Sequence, residues 1–212
     1  MKKLSTKNIF LVIFSLLLIA IFWRFVTELS FPDASISLQK GALVKLQPEN
    51  SLTQKFVAAR DGLTKVEFLL RTPGIAFENK DKVEMELADE TCQHSLQKGE
   101  LRSSFLASDN LYEFNFEKVA TSKNKTFCLV ATFKPVKASA KAIQFFTSGT
   151  DPAQPLSIRP VYQNQNIWQN LHELESRLSQ YKPWFLKNYF LWFIILGFIF
   201  LSVILVAILI VI

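Results

Sequence analysis

The residue types that do chemistry are few in this chain and scattered. The two histidines, His94 and His172, lie in different segments, and no G-x-S-x-G elbow supplies a nucleophile for either. A zinc site needs several His, Cys or acidic ligands at short, recognised spacings, and none is spelled out. No P-loop or G-x-G-x-x-G occurs, and six glycines offer little to cradle a phosphate. The acids Glu84, Glu86, Asp89 and Glu90 cluster, as a glycosidase pair would require. However, Glu84 and Glu86 alternate with Val83, Met85 and Leu87, which places them on the wet face of a strand. The expectation is no catalytic residue, no metal ligand and no cofactor: the protein is not an enzyme.

Cys92 and Cys128 are the only cysteines. In an oxidising compartment they form a bridge; otherwise they are two small hydrophobes in strands, and the sequence leaves both readings open. For a ligand, the polar loop groups are Arg60, Asp61, Arg71 and Asn110. The tryptophans Trp23, Trp168, Trp184 and Trp192 all lie outside the central region, so no aromatic platform for a sugar is offered there.

Half of the residues are hydrophobic, and the excess sits at the two ends. Residues 9–26 and 188–212 form two apolar runs of 18 and 25 residues, each read as a transmembrane helix. Arg24 snorkels at the edge of the first. No small-x-small cleavage pattern follows that run, so it reads as an uncleaved signal anchor. The net charge of +6 owes much to Lys2, Lys3, Lys7 and Arg24, leaving 20 basic against 18 acidic residues between Thr27 and Lys187. It is therefore a topology signal rather than a nucleic-acid face. The lysines put residues 1–8 inside. The expected location is a bacterial plasma (inner) membrane, crossed twice, with both termini cytoplasmic and the centre outside. The lipid bilayer is then a partner, and neither run carries the intramembrane charge a transporter needs.

Between the runs, residues 34–159 alternate with period two, in short stretches separated by turn signals. Val66, Phe68 and Leu70 alternate with Lys65, Glu67 and Leu69; Tyr112, Phe114 and Phe116 with Glu113, Asn115 and Glu117; Phe127, Leu129, Ala131 and Phe133 with Cys128, Val130 and Thr132. Arg60-Asp61-Gly62, Thr72-Pro73-Gly74, Lys98-Gly99, Ser108-Asp109-Asn110 and Ser122 to Lys125 read as turns. This predicts a mainly β fold, an antiparallel two-sheet sandwich.

Four segments carry a family resemblance: Gln54-Lys55-Phe56-Val57-Ala58, Asp61 through Leu70, Tyr112-Glu113-Phe114-Asn115-Phe116, and Lys125-Thr126-Phe127-Cys128-Leu129-Val130. They resemble strands of the jelly-roll, galactose-binding-like sandwich, the type of carbohydrate-binding modules. The resemblance implies a jelly-roll course. It also implies a role among envelope and membrane proteins, including those that handle cell-surface polysaccharide. The partner is then an envelope glycan or another membrane protein, and the function is binding or assembly of envelope components. The alternative is a structural subunit of an envelope complex with no small ligand.

Past Pro160 the period changes. Ile167, Leu171, Leu174, Leu178 and Tyr181 fall at helical spacing, predicting a juxtamembrane amphipathic helix over 165–182. Its stripe serves either a weak homodimer or a membrane or domain contact. In the last run, Gly197, Ser202 and Ala207 are spaced by five rather than four, so that run is not expected to self-associate.

Overall fold

The computed structural model describes residues 6–71, 81–102, 109–136, 142–164, 166–179, 189, 192, 194–197 and 200, without the side chains of 6–12, 15 and 102. They fall into two compact units: Ser30–Gln163, and a helical unit of Met1–Leu29 with Asn164–Ile212.

Among the described residues, the first unit holds ten strands in chain order: β1 (Phe31–Pro32), β2 (Leu43–Leu46), β3 (Ser51–Val57), β4 (Leu63–Arg71), β5 (Lys82–Ala88), β6 (Ser95–Arg102), β7 (Asn110–Val119), β8 (Thr126–Lys134), β9 (Ile143–Phe146) and β10 (Ile158–Tyr162). One sheet runs β1-β10-β4-β9-β2, with β7 also paired to β4; the other runs β3-β8-β5-β6. Every pairing between these named strands is antiparallel. The inward residues of both sheets form one core: Val66, Phe68 and Leu70 of β4, Val83, Met85 and Leu87 of β5, Phe127, Leu129, Ala131 and Phe133 of β8, and Ile143 and Phe145 of β9. These are the positions the alternation marks, because a strand turns successive side chains to opposite faces. Burial of this apolar surface, at about 25 cal/mol per Å², is the main favourable term in the fold.

Three features differ from the sequence expectation. Lys98-Gly99 is not a turn: Gly99 lies mid-strand in β6, opposite Met85. A Cβ there would come within 2.8 Å of the Phe114 ring, so the glycine makes room for an aromatic ring from the other sheet. The strand β10 runs through Pro160, where the sequence suggests a break, and the unit reaches Ser30 and Gln163, beyond the 34–159 of the alternation. On β4 the outward Glu67 and Leu69 are also buried, at 6% and 8% exposure. Glu67 is held there by Arg159 of β10, whose guanidinium donates at 2.7 Å.

The helical unit contains α1 (Thr6–Glu28) and α2 (Ile167–Ser179). Asn166 caps α2, its side-chain oxygen accepting from the Trp168 N–H at 2.9 Å. Ile167, Leu171 and Leu174 of the predicted stripe pack with Val26, Leu29 and Ile195, whereas Leu178 is exposed. Tyr181 lies outside the described residues. Over the described residues, no helix is long and apolar enough to cross a membrane. Most of 188–212 lies outside the described residues, as do the side chains of 9–12 and 15.

Candidate functional site

The four loop residues named for a ligand do not form one site. Arg60 and Asp61 precede β4, and Arg71 ends it; nine residues of strand separate the two groups by roughly 27 Å. At the first end the loop helps to hold the corner. The Arg60 carbonyl accepts from the Ser122 hydroxyl at 2.8 Å, and the Asp61 carboxylate accepts from the Lys123 N–H at 2.9 Å. Gly62 takes a φ of 80°, open to glycine at no steric cost, and its carbonyl accepts from the Gln163 N–H. Tyr162, at 1% exposure, accepts the Ala59 N–H on its phenolic oxygen, and burial pushes its ionisation above the ordinary range.

At the other end, Arg71 and Asn110 are neighbours, because Asn110 pairs with Leu70 in the β4–β7 ladder. Arg71 forks onto Asp109, at 2.6 and 3.0 Å, and lies 5.1 Å from the centre of the Phe146 ring. That bidentate geometry leaves little of the guanidinium's fork for a ligand.

The acid cluster is occupied as well. On the outer face of the four-stranded sheet, Lys82 contacts Glu84 at 2.8 Å and Glu100 at 3.6 Å, and Lys98 contacts Glu86 at 2.9 Å. Asp89 organises a tight loop. It accepts from the Thr91 hydroxyl and N–H, and its other oxygen lies 3.1 Å from His94 Nδ1. These bonds, the Thr91 hydroxyl first, bring its pKa down to about 2. The loop has a consequence for the cysteines. Cys128 is an outward-facing residue of β8, yet it is 0% exposed. Cys92, at a φ of 62°, is carried by the Asp89 loop and forms a disulfide with Cys128, with Cα atoms 5.3 Å apart and a sequence separation of 36. Among the described residues, no group of three His, Cys, Asp or Glu is placed to hold a metal ion. His172 is an exposed residue of α2.

Two buried polar residues escaped the sequence reading. Asn170 and Glu175 flank the apolar stripe of α2 and are 1% and 6% exposed. Asn170 donates to the Val26 carbonyl at 2.8 Å, tying α2 to the end of α1. Their positions, one residue off Leu171 and Leu174, put them at the stripe's margins, which is the one signal that could have found them.

No family model matches the chain, and no curated protein does. Among solved structures, it is similar to CsCBM6-3 from Clostridium stercorarium in complex with cellobiose, at 12% identity and a TM-score of 0.32, over 57% of this chain and 83% of that one. It is also similar to the insecticidal delta-endotoxin Cry8Ea1 from Bacillus thuringiensis, at 8% identity and a TM-score of 0.37, over 64% of this chain and 24% of the toxin. A third likeness is to the arabinose-bound MgGH51 α-L-arabinofuranosidase, at 10% identity and a TM-score of 0.32, over 62% of this chain. The chain spans about a quarter of the toxin and 23% of the arabinofuranosidase.

Proposed function

We propose that this protein is a membrane-anchored, non-catalytic β-sandwich module of a bacterial envelope, with the sandwich outside the cytoplasm, that assembles with another envelope protein. The observation that carries the reading is the surface of α1. From Ile13 to Phe25, ten large apolar residues stand exposed on every side of the helix, among them Leu17 at 54%, Ile21 at 57% and Trp23 at 55%. An amphipathic helix of a water-soluble domain keeps a polar face; one that is apolar all round needs a cover, and a bilayer supplies it. The disulfide supports an oxidising compartment for the sandwich.

Assembly is favoured over glycan binding by what the sandwich displays. Among its described residues no aromatic side chain is exposed, whereas Val57, Leu96, Leu111 and Val136 are. Alkaline carbonate extraction of membranes tests the anchor. The wild-type chain stays in the pellet. Release of the wild type would contradict the anchor. A glycan array probed with the full chain in detergent tests the partner: silence is expected, and a specific, saturable sugar signal would replace the protein partner with a glycan.

A further inference from the structure

The helical unit carries a half-open cleft of about 380 Å³, within the size range of small-molecule sites. Its lining joins Trp168, His172, Glu175 and Ser176 of α2 to Trp192. Trp168, His172 and Glu175 follow one another at i, i+4 and i+7, so a single face of α2 presents all three. Glu175 is 6% exposed, while Trp168 and Trp192 are 61% and 43% exposed, so the cleft is lined by a buried acid and two open indoles. Glu175 takes part in another interaction, but a carboxylate offers about four lone-pair sites and serves more than one donor. An indole face attracts a cation placed within about 6 Å of it. Acid and indoles together therefore select an organic ammonium. A bare anion is repelled by Glu175, and a small metal ion gains little from indole carbon.

We propose that this cavity binds the primary ammonium of an ethanolamine phospholipid headgroup, with Glu175 accepting its N–H donors and Trp168 and Trp192 flanking it. His172 and Ser176, both exposed, are the donors at the mouth that suit the headgroup phosphate. The lipid source rests on the membrane-anchored reading; recognition of the amine does not.

The test is native mass spectrometry of the full chain in detergent, titrated with dioleoyl phosphatidylethanolamine, its N-acetylated form and dioleoyl phosphatidylglycerol. The amine lipid is retained about tenfold more tightly than the other two, a difference of about 1.4 kcal/mol. Glu175→Gln and, separately, the exposed Trp168→Leu each lower that retention to the phosphatidylglycerol level, with helix content checked by circular dichroism. Equal retention of the three lipids overturns the proposal, as does undiminished retention in folded Trp168→Leu. If ethanolamine hydrochloride binds the cavity while the three lipids are not distinguished, the lipid source is overturned. The two readings fail separately. A chain extracted by carbonate that still selects the amine lipid sinks the anchor, and a retained chain blind to the amine sinks the cavity.

Discussion

Two residues carry consequences out of proportion to their size. Gly99 is one: its missing side chain is the space that the Phe114 ring occupies. Gly99→Ala forces that ring to move, and overpacking of this kind costs about 1–3 kcal/mol. Urea unfolding of the variant is expected to show a lower midpoint with an unchanged slope; an unchanged midpoint would mean the ring shifts freely. Asp89 is the other. Its carboxyl is brought from 3.8 to about 2 by the bonds of its loop. A depressed pKa stabilises the fold above the unfolded value, and that contribution is lost as pH falls through the folded value. Asp89→Asn is therefore expected to melt lower than wild type at pH 6, with the gap closing between about pH 4 and pH 2. A gap independent of pH would assign the loss to packing instead. The glycine was misread from sequence because Lys-Gly is a common turn dipeptide, and only the ring from the opposite sheet explains it. His94 gave no hint either, since its partner Asp89 lies five residues away in a loop rather than in a recognised motif.

Legibility varies between elements for a common reason. The strands β5, β7 and β8 were readable because each has a wetter face and a drier one, so their apolar residues alternate; Val66, Phe68 and Leu70 mark β4 in the same way, although its outward Glu67 and Leu69 are buried too. By contrast, β2 and β9 are four residues each, too short to establish a period, and Pro160 disguises β10. Of the candidate loop groups, sequence identified polar residues but not their separation, because Arg60 and Arg71 are close in number and far apart along an extended strand. The disulfide belongs to this scale too, since it pins the β5–β6 loop onto β8. Removing it by Cys92→Ala with Cys128→Ala opens a loop of sequence separation 36, and chain entropy predicts a loss of about 3–4 kcal/mol. Differential scanning calorimetry checks this, and a melting temperature equal to wild type would show that the Asp89 loop holds without the bond.

For the molecule as a whole, two chemistries coexist in one chain. The sandwich unit is closed on itself: its core is continuous between the sheets, and its acids Glu67, Glu84 and Glu86 each face a basic partner. The α1 helix is the opposite, with ten large apolar side chains exposed between Ile13 and Phe25. The account joins these as anchor and outward module. Its most direct test is labelling of Ser148→Cys, an exposed position of the sandwich, in intact cells with a membrane-impermeant maleimide. The native cysteines are bonded to each other and do not react. The account predicts that the membrane-bound chain is labelled in intact cells as fully as after lysis. Labelling only after lysis would contradict it.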